Sequence, residues 1–266
     1  MVKGVTEVSG LSYEERGVGV SEHNHPPLIL IHGAGGSRLH WPTEIRRMES
    51  ELVYSLDLPG HGQSPGEGES TIGGYSKHVC DWMDALDIER AVLVGHSMGG
   101  AISLKIALDI QDRAAGLVLV GTGGRLRVHP MILELSANPK KLSEAVDLVN
   151  SYAFSPQAPP RMVEFARAQL AETRPEVLHG DFKACDAFDV LNRLGEISVP
   201  TQVICGDDDK LTPVKYSYFM LEAIPGACIE TVEGAGHMVM LEKAQDVAAI
   251  LKRFLEDVFG QTKGVS

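Results

Sequence analysis

VLVGHSMGGA, residues 92–101, sets one serine between two glycines at the point where an apolar run gives way to a helix-like one. Val92, Leu93 and Val94 have the composition of a buried strand, and the pattern from Met98 onward suits a helix. A chain that turns from strand to helix this sharply leaves no room for side chains where the two elements cross. Gly95, Gly99 and Gly100 meet that need. Chance gives on the order of 0.1 matches to G-x-S-x-G in a chain of this length, so the setting decides. With a strand before it and a helix after it, the turn lifts the Ser97 hydroxyl to the C-terminal edge of a sheet and points the N-terminus of the next helix toward it.

Working outward, short apolar runs recur at 27–32, 52–57, 91–95, 116–121, 201–206 and 228–232, each bounded by Gly, Pro or Asp. Near-continuous apolar strands suit a parallel sheet covered on both faces. Helices are predicted between them at 75–88, 98–111, 213–223 and 240–258. The last carries Val247, Ile250, Leu251, Phe254 and Leu255 at helical spacing. The alternation predicts an α/β fold with a doubly wound, mostly parallel sheet, and residues 6–16 read as an antiparallel edge hairpin. From 125 to 195 no strand-like run appears. Leu142, Ala145, Val146, Val149 and Ala153 form one helical stripe, and Met162, Phe165, Ala166 and Leu170 form another. The breaker Ser155–Pro160 separates them. The expected organisation is a core of residues 1–124 and 196–266, with 125–195 as a helical cap.

A serine used as a nucleophile needs a base, a carboxylate to orient that base, and donors for an oxyanion. The sequence has ten histidines. His237 stands out because it leaves the last strand on the glycine loop Glu233-Gly-Ala-Gly236. His96 adjoins Ser97 and reads as a packing residue, His61 as a turn residue, and His23 and His25 as polar-loop residues. The carboxylate is expected after the strand 201–205, where Asp207, Asp208 and Asp209 compete.

These motifs resemble those of the α/β-hydrolase superfamily, in its capped, esterase-like branch, over about residues 27–258 apart from the insertion. The order Ser97…Asp209…His237 is similar to that family's order of nucleophile, acid and histidine. The resemblance selects Asp209, because the family places its acid three residues after the loop glycine, here Gly206, and often a proline four residues later, here Pro213. It also implies that His32-Gly33-Ala34-Gly35-Gly36 is an oxyanion loop, with the N–H groups of Ala34 and Met98 as donors. Asp57-Leu-Pro-Gly-His-Gly-Gln-Ser64 matches a family motif whose role is turn geometry. The family often carries Glu five residues after its histidine and Pro two further on. Glu242 is present, and Ala244 replaces the proline.

The implied function is hydrolysis of small to medium, uncharged carboxylic esters, with Met131, Leu133, Phe154, Met162 and Phe165 as candidate pocket residues. A carbon–carbon (meta-cleavage product) hydrolase, an enol-lactone hydrolase or a perhydrolase would use the same triad, and a non-catalytic small-molecule receptor would use the same scaffold. A dinucleotide site is disfavoured, since Gly33-Ala-Gly35 and Gly121-Thr-Gly123 meet Arg38 and Leu126 where the third glycine belongs. No cofactor or metal is expected. The net charge of −12 argues against nucleic-acid or anionic-membrane partners. MVKGVTEVSG lacks the apolar core of a signal peptide, no run of about 18 apolar residues occurs, and four cysteines without ligand spacing read as free thiols. The expected location is cytoplasmic.

Overall fold

A computed structural model describes residues 5–17 and 25–260. Eight strands form one sheet: β1 (Thr6–Val8), β2 (Leu11–Arg16), β3 (Leu28–Ile31), β4 (Val53–Asp57), β5 (Ala91–His96), β6 (Ala114–Val120), β7 (Thr201–Gly206) and β8 (Cys228–Val232). Their spatial order is β1-β2-β4-β3-β5-β6-β7-β8. β1 and β2 form the expected antiparallel edge hairpin, β2 runs antiparallel to β4, and all other pairings are parallel.

Alternation along each strand explains the unbroken apolar runs. Ile29 and Ile31 of β3 and Leu93 of β5 enter one core, while Leu28, Leu30, Val92 and Val94 enter another on the opposite face. Helices α1 (Thr43–Arg46), α2 (Ile72–Ala85) and α3 (Met98–Asp109) accompany the first strands. Between β6 and β7 run α4 (Pro130–Ser136), α5 (Leu142–Ala153), α6 (Pro160–Glu172) and α7 (Pro175–Ala187). After β7 come α8 (Val214–Ala223), α9 (Val239–Glu242) and α10 (Ala244–Phe259). α2, α3 and α8 cover one face of the sheet, and α1 and α10 cover the other.

Two expectations shift. The helix expected at 75–88 starts at Ile72, where the Thr71 side chain caps it by accepting from Gly74 N–H. The helix expected at 240–258 is broken at Lys243 (φ −133°, ψ 53°) into α9 and α10. The helical segment α4–α7 has its own small core of Ile132, Val146, Leu170, Leu178 and Phe182, against which Ala34 packs.

The chain passes from β3 to β4 on one side and returns to β5 on the other. Such a reversal opens a crevice at the C-terminal strand ends, here beside the residues that follow β3 and β5. The crossing of α3 over β3 is close. A Cβ on Gly99 would stand 2.1 Å from the Ile31 carbonyl oxygen. Gly99→Ala therefore overpacks backbone that has no freedom to move. It is expected to destabilise by about 3 kcal/mol and to lower Tm by roughly 6–12 °C, read from reversible thermal melts.

Candidate active site

Ser97 occupies the corner between β5 and α3 with φ 52° and ψ −115°, a backbone conformation that L-residues rarely adopt. Its N–H donates to Val120 O at 2.9 Å. Its carbonyl accepts from Gly100 N–H at 2.9 Å and from the Thr122 hydroxyl at 2.8 Å. A Cβ on Gly95 would lie 2.2 Å from Gly99 O, and one on Gly100 would lie 2.5 Å from the Thr122 side chain. The glycines are thus required by contact, on both sides of the serine.

The three aspartates after β7 separate by their bonding. Asp209 is buried. Its Oδ1 accepts from the N–H groups of Leu211 (2.9 Å) and Thr212 (2.8 Å), and its Oδ2 accepts from the Thr212 hydroxyl (2.7 Å) and lies 2.9 Å from His237 Nδ1. Burial raises the pKa of this carboxyl. The facing His237 and the donors from His237 and Thr212 outweigh burial and hold it below the usual value of 3.8. Asp207 instead accepts from Gly234 N–H at 2.8 Å and so ties the His237 loop to β7. Asp208 contributes its N–H to Ala235 O at 2.9 Å.

His237 has the Asp209 carboxylate behind it and lines the same cavity as Ser97. His96, its neighbour, donates from Nε2 to the His237 carbonyl at 3.0 Å, and its Nδ1 has no partner among the described residues. Burial first, then the adjacent His237, pushes the pKa of His96 well down, so it stays neutral. His40 behaves alike, lowered to about 4 by burial and by His61. Glu242 reaches back from α9 to accept from Gly236 N–H at 2.9 Å and Ser155 N–H at 3.1 Å. It clamps the His237 loop against the end of α5.

Ala34 follows β3 and lines the same cavity as Ser97 and His237, a space of about 510 Å³. Met98 is the first residue of α3, a position whose N–H has no intrahelical acceptor. Its side chain is fully buried in the core, so the backbone is what it offers. A second space of about 100 Å³ also touches Ala34, Ser97 and His237 and is lined by Ala153, Phe154, Ala166 and Leu170.

Of the five candidate pocket residues, Phe154 lines this smaller space. The other four line neither of these two spaces. Met131 and Phe165 are 46% and 64% exposed, because α4 turns Ile132 and Leu135 inward and α6 turns Leu170 inward. Leu133 packs on the small core of the helical segment, and Met162 on the core beneath α10. The larger space is walled instead by Leu126, Val128, Ile132, Val149, Tyr152 and Phe182.

Sequence reasoning passed over Asp181. It is buried on α7, lies 2.8 Å from His61 Nε2 and accepts from the Tyr75 hydroxyl at 2.5 Å. Its only sequence signal is a lone carboxylate on the inward face of an amphipathic helix, beside Val177, Leu178 and Phe182. His61 Nδ1 faces the Pro59 carbonyl at 3.0 Å. Both ring nitrogens therefore face acceptors, and only the imidazolium satisfies both. Burial lowers the pKa of His61, but the Asp181 charge and hydrogen bond outweigh it and raise the net value. Asp57 and Ser64 build the turn between them. Asp57 accepts from Arg38 N–H and Gln63 N–H at 2.7 and 2.9 Å, and the Ser64 hydroxyl donates to Asp57 O at 2.6 Å. Among the described residues, no group of three or more His, Cys, Asp or Glu could hold a metal ion, and no helix is long and apolar enough to cross a membrane.

Residues 28–250 match the model of the Alpha/beta hydrolase family. A solved thermophilic esterase is 34% identical, with a TM-score of 0.83 over 97% of this chain and 99% of that one. The enol-lactonase of Burkholderia xenovorans LB400 superposes with a TM-score of 0.85 over 92% of this chain and 96% of that one, at 24% identity. The 2-hydroxy-6-oxo-6-phenylhexa-2,4-dienoate hydrolase of Burkholderia cepacia is 28% identical over 86% of this chain and 87% of its own.

The raised pKa of His61 has a stability consequence. Its contribution is complete below the ordinary value of 6.5 and is lost as pH rises through the elevated native value. In urea unfolding, the advantage of wild type over His61→Gln should be constant below pH 6.5 and shrink toward alkaline pH. An advantage that grows with pH would contradict a charged His61.

Proposed function

Because the chain belongs to the alpha/beta hydrolase family, we propose that it cleaves carboxylic esters of small to medium size through an acyl-enzyme on Ser97. The observation that carries this reading is the buried Asp209–His237 contact of 2.9 Å at a cavity that Ser97 also lines. The Ser97 oxygen attacks the ester carbonyl while His237 takes its proton. Asp209 holds Nδ1–H, leaves Nε2 for that proton, and stabilises the imidazolium. The N–H groups of Ala34 and Met98 bind the oxyanion. The tetrahedral adduct expels the alcohol, protonated by His237, and water activated by the same imidazole then releases the acid and restores Ser97. The N-terminus of α3 favours the negative charge that develops beside Met98.

In this reading 125–195 is a cap over a core of 1–124 and 196–266, and its apolar wall takes the acyl or alcohol group. The four unpaired cysteines fit a reducing cytoplasm. The identity to a thermophilic esterase supports the ester chemistry. A fluorophosphonate should label Ser97 alone, mapped by peptide mass spectrometry. Ser97→Ala should lose both the label and at least about 10⁴-fold in kcat on p-nitrophenyl butyrate. Full turnover by that variant would overturn the reading.

One observation favours a second reading, in which the substrate carries a carboxylate, as the dienoate in the name of the Burkholderia cepacia relative does. Lys210 and Lys215 line the larger cavity and form no ion pair among the described residues, Arg127 beside them engages Asp189, and no Asp or Glu lines that space. In a chain of net charge −12 such a mouth attracts anions locally. A dicarboxylate half-ester should then exceed its neutral diester in kcat/KM, and the Lys210→Ala/Lys215→Ala double variant should lose roughly 3–10-fold on the half-ester alone. Preference for the diester, unchanged in the variant, would return the assignment to uncharged esters.

A further inference from the structure

We propose that the helical segment assembles the oxyanion loop: Asp181 and Thr173 clasp Gly35 from both sides and thereby set the direction of the Ala34 N–H. This rests on Ala34 being an oxyanion donor. Gly35 N–H donates to Asp181 Oδ2 at 2.7 Å, and the Gly35 carbonyl accepts from the Thr173 hydroxyl at 3.0 Å. Gly35 has φ +61°, and a Cβ there would stand 2.3 Å from Leu170 Cδ1 and 2.7 Å from Leu178 Cδ1. Four residues from α6, α7 and the link between them thus converge on one residue of the loop after β3.

The clasp reaches Ala34 through rigid peptide planes. The carbonyl that Thr173 holds shares its plane with Gly36 N–H, which donates to Gly33 O at 3.1 Å. The Gly33 carbonyl also accepts from His32 Nδ1 at 2.8 Å, and it shares its plane with Ala34 N–H, which must point the opposite way. Fixing the Gly35 carbonyl therefore fixes Gly36 N–H, then Gly33 O, then Ala34 N–H. Asp181 restrains the other end of Gly35. The Tyr75 hydroxyl and His61 hold that carboxylate in place from the core side.

Asp181 and Thr173 are accordingly positioning residues. Swinging the helical segment away from the sheet would dissolve the clasp and, with it, the donor. The hole exists only while the segment is docked.

The test uses full-length protein with a short-chain p-nitrophenyl ester and a trifluoromethyl ketone, which mimics the oxyanion once Ser97 adds to it. Asp181→Ala should lower kcat by roughly 30–100-fold, below the ~10²–10³-fold ceiling for losing a donor outright. KM should change less than about threefold, and ketone affinity should fall by the same factor as kcat. Asp181→Asn keeps an oxygen toward Gly35 N–H and should return kcat to within about fivefold of wild type. Thr173→Val should cost about fivefold in kcat. Wild-type kcat in a folded Asp181→Ala protein overturns the proposal, as does an Asn variant no better than Ala. If Asp181→Ala gives no cooperative melt, wild-type kcat in Thr173→Val overturns it. Turnover surviving in Ser97→Ala would instead defeat the underlying catalytic reading, whatever the Asp181 variants do.

Discussion

The backbone at Ser97 is the constraint from which the rest of the molecule is arranged. A non-glycine residue at φ 52° and ψ −115° costs on the order of 1–3 kcal/mol and persists only where its surroundings leave no alternative. Here they leave none. The N–H of Ser97 is tied to β6, its carbonyl is tied to Thr122 and to the first turn of α3, and the backbones of β3 and α3 meet where Gly99 stands. α3 is buried along almost its whole length, from Met98 to Leu108. That burial offsets the strain and explains why the corner sits in the middle of the sheet, where strands flank it on both sides.

The second organising feature is a segregation of charge among crowded imidazoles. His32 and His61 have ring centres 4.9 Å apart, and His96 and His237 have theirs 4.8 Å apart. Two imidazolium rings at such distances would repel strongly in a buried setting. In each pair one member is forced neutral by burial, His32 and His96, while the other has a buried carboxylate, Asp181 or Asp209. The two aspartates serve opposite ends. One keeps a histidine charged and immobile beneath the loop after β3. The other holds His237 Nδ1 at 2.9 Å, and in the proposed mechanism the neutral His96 beside it adds no opposing charge while His237 carries the Ser97 proton.

Much of this was legible from residue patterns because local rules and global packing agree there. The alternation of apolar runs and helical stripes gives the parallel sheet, the edge hairpin and the position of the helical segment. The glycines around Ser97 announce the corner because nothing larger fits. Patterns alone left Asp207, Asp208 and Asp209 in competition, since their difference lies in which N–H groups each meets after the loop closes. α7 is hard to read because it follows α6 after only Thr173 and Arg174, with no side-chain cap and only Pro175 and Glu176 to mark its start. Asp181 was lost with it. A buried carboxylate on a helix face looks like a solvated one until its three donors, from the loop after β3, from His61 and from Tyr75, arrive from distant parts of the chain. Met131 and Phe165 stand exposed for a related reason: apolar spacing marks a helix face but not which neighbour covers it.

The attachment of the helical segment also suggests how such a molecule tolerates change. The segment is bound to the sheet at both sides of the site. On one side Asp181 and Thr173 hold Gly35. On the other, Met238 N–H donates to Ala153 O at 3.1 Å, and Glu242 bridges Gly236 and Ser155. Both anchors rest on backbone groups in the two loops, so they do not depend on the side chains that wall the cavity. Ile132, Val149, Tyr152 and Phe182 lie between the anchors and carry no hydrogen bond to either loop. Their volumes can vary at the modest expense of repacking a small apolar core, while the backbone geometry around Ser97 is left alone. A division of this kind lets the shape of the cavity and the backbone geometry around Ser97 be adjusted separately.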